Sequence, residues 1–497
     1  MMGKRMQATL PSYFNIDSIL LFALCILVFC NFMNGPGLGN PNTKSRMFLA
    51  LSISESGKIS IGDYGPLTED RAERAGRYYS DKAPGMALLA LPAILAARPL
   101  LVRRSGGNVC SGPDCWFQPN GRTNPYYNAL YYLATAWTSV TITAAAVVLF
   151  RSFVIALYED RGAATFAALA LAFGTPLGAW ATTFFEHAAA ASWLFAGLVA
   201  AHWAGRQPRD SLRAVTAGVL VAAPLGLALV TSYLIAVPVL LVAAYALLGA
   251  WHQPRPWVLT AALAAMATGT LIVAPVLAYN WAAFGSPFSV GYGHVDGFEG
   301  MKEGLFGISW PSLTALRGVT IDQYRGLLWV APIVILYPLG LVAMLREHRH
   351  RALGALGAAV AVYYLLVNSG YAYWDGGFSL GPRHMVPVLP FLMLAIACLW
   401  VEAATGLRSL MVVLGLGGAA VNIMAMATTV TPNSAYPHPI AEIIVPRFFA
   451  GDVHSVIGSA LRVEGFASLL PFLLLAALLT AVLVLRNFPG RAGSGSA

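Results

Sequence analysis

Charge is what this sequence has least of. Only 11% of its 497 residues are Asp, Glu, Lys or Arg, against about 25% in a soluble domain. A chain of this length with so few charges cannot present a water-solvated surface, which excludes a soluble globular protein. Cysteine is scarce too, with five in all. Cys25, Cys30 and Cys398 lie within apolar runs and read as packing residues. Cys110 and Cys115 remain, with no His or second Cys pair near them to complete a zinc site. The sequence has no Walker motif, no Rossmann glycine fingerprint, no HExxH and no internal repeat. Acidic residues number 22 against 31 basic ones, a net charge of +9. The positive charges form no broad patch. They fall in short clusters between apolar runs: Arg206, Arg209 and Arg213; Arg346, Arg349 and Arg351; Arg486 and Arg491. That is the pattern of cytoplasmic loops in a membrane protein, and it argues against nucleic acid as a partner.

What the sequence has in abundance is apolar residues, 58% of the total. They gather in runs of roughly 17 to 25, the length that crosses a hydrocarbon core of about 30 Å. The runs are 17–33, 85–101, 127–157, 162–180, 188–204, 214–230, 234–250, 257–279, 327–345, 352–368, 385–402, 409–428 and 466–485. The expected fold is all-α and polytopic, with about 12–13 crossings and a large first external loop containing interfacial helices. Lys4 and Arg5 precede the first run, and no clean small-residue cleavage site follows it, so that run is expected to be retained. The basic clusters place both termini in the cytoplasm, which requires an even number of crossings. The segment 85–101 is short, contains Pro92 and ends in Arg98, Arg103 and Arg104. It is therefore expected to lie in the interface, within one external loop at 34–126. Further external loops follow at 181–187, 281–326, 369–384 and 429–465. The chain divides into an N-terminal catalytic module at 1–280 and a C-terminal module at 281–497.

The scarce charges concentrate in the first long loop, which carries Asp63, Glu69, Asp70, Arg71, Glu73, Arg74, Arg77, Asp81 and Lys82, interleaved with Tyr64, Tyr78 and Tyr79. Such a loop is charged simply because it is wet, unless its charges converge on a site. Asp81 and Lys82 lead through Ala83 and Pro84 straight into an apolar run, and proline restricts the backbone there. That holds a carboxylate and an ammonium at the depth of a lipid phosphate. Two more polar clusters fall on the same side. One is Phe184-Phe185-Glu186-His187. The other runs from Tyr371 to His384 and includes Tyr373, Trp374, Asp375, Arg383 and His384. Its aromatic rings and carboxylate suit sugar binding, and the planar fork of Arg383 suits phosphate. An interfacial belt with a snorkelling Arg accounts for the rings but not for Asp-Gly-Gly or Gly-Pro-Arg-His. Arg325, at another helix start, is a second phosphate candidate.

These residues suit transfer of a sugar from a lipid phosphate, which needs a carboxylate to take the acceptor proton and cations to hold the leaving phosphate. Asp70 through Pro84, Phe184–His187, Arg325-Gly326-Leu327 and Gly381-Pro382-Arg383-His384 also carry a family resemblance. The chain is similar to the GT-C class of integral-membrane glycosyltransferases, the group of bacterial aminoarabinose transferases and protein O-mannosyltransferases. The resemblance implies a polyprenyl-phosphate sugar donor, a glycan or glycolipid acceptor, and inverting transfer at the external face of the plasma membrane. It implies an acidic base in the first external loop and a donor-phosphate role for the acid–Lys pair before proline, Asp81-Lys82. Relatives place an Asp soon after the first crossing; this chain reads Asn42-Thr43-Lys44-Ser45-Arg46 there, with no acid.

The base is accordingly expected at Asp63 or Asp70. Donor-phosphate contacts are expected at Lys82, Arg325, Arg383 and His384. Sugar or acceptor contacts are expected at Tyr79, Glu186, His187, Tyr373, Trp374 and Asp375. A divalent metal ion, if one is used, would draw on Asp81. The competing classes are a polytopic transporter or flippase, and a non-catalytic envelope-assembly protein. Against the first, the charges sit at loop edges rather than mid-helix and no half-to-half repeat is visible. Cys110 and Cys115 flank four residues in the long loop and are expected to form a disulfide in an oxidising compartment. They should resist a membrane-impermeant maleimide until a reductant is added; labelling without reductant would refute the pairing.

Overall fold

A computed structural model describes residues 15–33, 39–104, 112–118, 123–208, 210–295 and 297–488. The protein is an all-α polytopic membrane protein. In chain order the first half comprises α1 (Ile16–Asn31), α2 (Pro41–Ser56), β1 (Ala72–Arg74), β2 (Arg77–Tyr79), α3 (Gly85–Arg104), α4 (Pro125–Thr135), α5 (Thr141–Tyr158), α6 (Arg161–Phe173), α7 (Pro176–Ala181), α8 (His187–Ala204), α9 (Ser211–Thr231), α10 (Ala236–Gly249) and α11 (Arg255–Phe284). The second half comprises α12 (Leu313–Thr320), α13 (Leu327–Val330), α14 (Tyr337–Arg346), α15 (Arg351–Gly370), α16 (Leu389–Glu402), α17 (Thr405–Thr428), α18 (Val445–Phe449), α19 (Val456–Leu461) and α20 (Leu470–Asn487). Among the described residues, eight helices are long and apolar enough to cross a membrane, and four shorter apolar helices accompany them. Every apolar run read from the sequence is helical. The run 85–101 lies within α3, which meets the length and composition of a span; charge parity, its short length, Pro92 and the arginines at its end had set it in the interface.

Helix boundaries follow local chemistry. Asn40 caps α2 by accepting from the Asn42 backbone N–H at 3.0 Å, Pro41 sits in the first turn, and Gly57 ends the helix in the left-handed region. Asp160 and Asp210 cap α6 and α9 in the same way. Helix α11 continues through Asn280 to Phe284, because Gly285 at φ +76° supplies its left-handed cap. The boundary drawn at 280/281 between the two modules thus falls inside a continuous helix.

The interior is built on close helix contacts at small residues. A Cβ on Gly218 would lie 2.1 Å from the Ala261 carbonyl oxygen, so α9 and α11 touch backbone to backbone. Buried charges are paired or hydrogen-bonded, as the cost of desolvation requires. Arg151 of α5 donates to Asp17 at 3.3 Å, to Asn487 at 2.7 Å and to Thr165 at 3.0 Å, and Arg486 donates to Asp17 at 2.6 Å. This network fastens the first helix to the last.

The loops between helices are stitched into a layer. Strands β1 and β2 form the one sheet among the described residues, paired Ala72 to Tyr79. Ala75 and Gly76 turn the hairpin, both at positive φ, as a two-residue type I′ turn demands. Val295 bridges to Ala72, and Ile308 to Tyr371. Gly291 has no side chain where a Cβ would meet the Asp81 backbone within 2.7–2.8 Å, so the 291–295 segment lies directly on Asp81.

The start of α3 sets the position of Lys82. A Cβ on Gly85 would meet the Val230 carbonyl oxygen at 2.2 Å. Gly85→Ala should therefore cost about 1–3 kcal/mol, the usual range for overpacking, and lower the thermal midpoint in detergent. Gly406→Ala, with open space around it, should not. Equal midpoints for the two variants would disprove this account of the α3–α9 contact.

Candidate active site

A cavity of about 220 Å³ opens where four loop stretches meet. Its lining comes from Asn40 to Asn42, from Glu69, Asp70, Asp81 and Lys82, from Tyr292, Val295, Phe298 and Met301, and from Tyr371, Tyr373, Gly376 to Phe378 and Arg383, with Ser434 at the rim.

Lys82 is the centre of its charge. The ammonium lies 2.5 Å from Asp81 Oδ2 and 3.1 Å from Asp70 Oδ2. The other oxygen of Asp81 accepts from the Ser45 hydroxyl at 2.9 Å, and Ser45 in turn meets Ser80 at 2.9 Å. The hairpin and α2 therefore hold the pair from both sides. Burial works against the Lys82 ammonium, but the two carboxylates outweigh it and raise its pKa above the ordinary lysine range. Burial pushes the Asp81 carboxyl up, and Lys82 offsets this only in part. Lys82 is thus a fixed cation under two carboxylates.

Beside it lies a second charge system. Arg46 of α2 forms an ion pair with Glu186, and also donates to Asn42. Burial opposes the charged form of Glu186, yet the Arg46 guanidinium holds its carboxyl well below the usual range. The Arg383 guanidinium lies over the Phe185 ring at 5.4 Å, and Arg46 lies over the same ring at 5.8 Å. The Nε of Arg383 has no hydrogen-bond partner. His187 and His384 face one another with ring centroids 5.3 Å apart, and the Nε2 of each is buried without a partner. Unsatisfied polar groups in so dry a place are costly. Three such atoms, Nε of Arg383 and Nε2 of His187 and His384, belong to side chains grouped at this end of the cavity.

Asp70, Asp81, Lys82, Tyr373 and Arg383 come together in the cavity lining, with Glu186, His187 and His384 packed behind Arg383. Asp63 and Tyr79 do not reach it. They line a separate cleft beyond the hairpin. Arg325 is buried, and donates from Nε to the Asp375 carbonyl at 2.9 Å, from Nη1 to Tyr324 at 3.1 Å and from Nη2 to Gly377 at 2.7 Å. It shapes the Asp-Gly-Gly turn from behind and does not line the cavity. Asp375 accepts from the Tyr324 hydroxyl at 3.1 Å, and Trp374 packs over Gly318. Tyr373 receives the Gly300 N–H on its hydroxyl at 3.1 Å, tying the 299–302 turn to the cavity wall. Sequence reasoning passed over Arg46 and Ser45 as site residues. A charged residue inside α2, one helical turn past Asn42, was the available signal for Arg46.

A divalent cation finds no ready ligand set. Both oxygens of Asp81 are engaged, and no group of three or more His, Cys, Asp or Glu among the described residues is arranged to hold a metal. No step is assigned to one. Cys115 is disulfide-bonded, while Cys110 lies outside the described residues.

The Arg46–Glu186 pair is buried at both ends. Arg46→Met or Glu186→Gln alone should lower stability by about 3–5 kcal/mol, because each leaves one uncompensated charge. The double variant should recover much of that loss. Additive losses, read as thermal midpoints, would show that the two side chains are not coupled.

No family model and no curated protein matches the chain. Among solved structures it is similar to the crystal structure of ArnT from Cupriavidus metallidurans bound to undecaprenyl phosphate, at 16% identity and a TM-score of 0.47. The apo structure of that protein gives 16% identity and a TM-score of 0.49. Both likenesses cover 95% of this chain and 77% of the other.

Proposed function

We propose that the protein is a membrane glycosyltransferase, transferring a sugar from a polyprenyl-phosphate donor to an envelope glycan or lipid at the external face of the bacterial plasma membrane. The observation that carries this reading is Lys82 held between Asp70 and Asp81 in an aromatic-walled cavity, beside the unsatisfied Arg383. In the reaction the acceptor oxygen attacks the anomeric carbon as the bond to the phosphate oxygen breaks, which inverts the configuration. The acceptor proton passes to a carboxylate. Of the two candidates for this base, Asp70 is the one in the cavity. The charge that develops on the leaving phosphate is taken up by Lys82 and Arg383, already fixed in place before substrate arrives. Tyr292, Tyr371 and Tyr373 provide ring walls for the sugar.

The test is release of polyprenyl phosphate by purified protein from a panel of polyprenyl-phosphate sugars. Wild type should consume at least one donor. Asp70→Asn should lose about 10²–10⁴-fold in turnover, the usual worth of a positioned base. Lys82→Ala and Arg383→Ala should each lose about 10²–10³-fold, as other charge-stabilising groups do. Loss in Asp63→Asn instead would move the base to the cleft beyond the hairpin. No consumption of any donor in the presence of envelope lipid would favour a transporter or an assembly protein.

A further inference from the structure

Beyond the hairpin lies a second concavity of about 700 Å³, open to solvent, between the end of α2 and strand β2. Its lining includes Lys58, Gly62, Asp63, Arg77, Tyr78 and Tyr79, and it abuts Ala282 near the end of α11. We propose that this cleft binds the acceptor through an anionic sugar, one that bears a phosphate or a carboxylate. The proposal rests on the transferase reading, since it takes the cleft's ligand to be the acceptor.

Three observations support it. The first is charge. Lys58, Asp63 and Arg77 are exposed, yet none forms an ion pair or a side-chain hydrogen bond with another residue among those described. In a protein with so few charges, two cations and one carboxylate share a concavity and remain unpaired. The cations outnumber the carboxylate, which selects for an anionic ligand. Asp63 is left to accept from sugar hydroxyls. The second is a bare rim. Gly57, Gly62 and Gly76 all have positive φ, and a Cβ on any of them would meet nothing within 4 Å. Backbone is thereby exposed to close approach of a ligand. Its described lining is mostly charged, hydroxyl-bearing, aromatic and glycine residues, which suits a saccharide better than a lipid tail.

The third is position. Tyr79 lines the cleft and Asp81 lines the catalytic cavity. Two residues of extended chain span about 7 Å, so one strand separates the two concavities. Close packing fixes this wall: a Cβ on Gly65 would overlap the Tyr78 ring at 2.4–2.7 Å. An acceptor anchored by its anionic sugar in the cleft needs to extend by little more than one sugar unit over the hairpin to bring a hydroxyl to Asp70.

The experiment is titration of the full-length protein, in phosphatidylcholine nanodiscs, with glucose 6-phosphate, glucuronate, glucose and inorganic phosphate, read by saturation-transfer NMR. It is run in a Lys82→Ala/Arg383→Ala background, so that the catalytic cavity does not supply the anion site. Glucose 6-phosphate or glucuronate should bind at least 10-fold more tightly than glucose or inorganic phosphate. Adding Lys58→Ala and Arg77→Ala should weaken that binding 10-fold or more; Lys58→Glu, at an exposed position, should do so alone. Equal binding with and without these substitutions overturns the proposal. So does inorganic phosphate binding as tightly as the phosphosugar, which would make the cleft a plain anion site. Competition by nanodiscs containing phosphatidylglycerol would overturn it in favour of a lipid headgroup. Sugar binding is independent of donor turnover. Binding that persists in a protein unable to consume any donor would sink the transferase reading and leave the cleft standing, while turnover without cleft binding would do the reverse.

Discussion

A lysine ammonium shared by two carboxylates is the interaction on which the rest of the site depends. Lys82, Asp70 and Asp81 come from a short stretch of chain, but they are held by distant ones. Ser45 of α2 fixes Asp81, Gly291 allows the next loop to lie on its backbone, and Gly85 seats the start of α3 against α9. In a chain with 11% charged residues, three ionised groups in one dry place require compensation, and here each largely compensates another. The fold can bring them together because its interior is built on small-residue helix contacts that need no polar groups. The few charges are left to define the site.

How much of this was legible in the sequence depended on the range of each interaction. Apolar runs set the helices directly, since a crossing is a local property of roughly 17 to 25 residues. Asp81-Lys82 could be read because the following proline and apolar run fix its depth. The Phe184–His187 and Tyr371–His384 clusters could be read as polar residues at helix edges. The pairing of Arg46 with Glu186 could not, because the partners are 140 positions apart and nothing local to either one names the other. Arg325 shows the opposite failure. A basic residue at a helix start reads as a phosphate partner, and only the structure reveals three backbone carbonyls around it. Asp63 and Asp70 were equivalent by sequence. Only the structure separates them, with Asp70 lining the cavity beside Lys82 and Asp63 lining the cleft beyond the hairpin.

The acid missing after the first helix takes on a different meaning once Glu186 is placed. Residues 42 to 46 hold no carboxylate, so Arg46 would be a buried cation without a local counter-charge. Glu186 supplies that counter-charge from the junction of α7 and α8. Arg46 is thereby neutralised, and its guanidinium is not available to an anion without abandoning Glu186 to the interior. The positive charge left for a phosphate is that of Lys82 and Arg383.

Lys82, however, already has two carboxylates, and in the proposed reaction this would couple substrate to base. While the cavity is empty the ammonium is shared between the Asp70 and Asp81 carboxylates, and at Asp81 it offsets in part the upward push of burial. A phosphate that draws the ammonium toward itself withdraws that offset, and adds a negative charge of its own nearby. Both changes act on Asp81 in the same direction as its burial, which already pushes that carboxyl up. In the proposed reaction a bound lipid phosphate would thus free the carboxylates from the cation, and without it they stay tied to Lys82 where unpaired charge is costly.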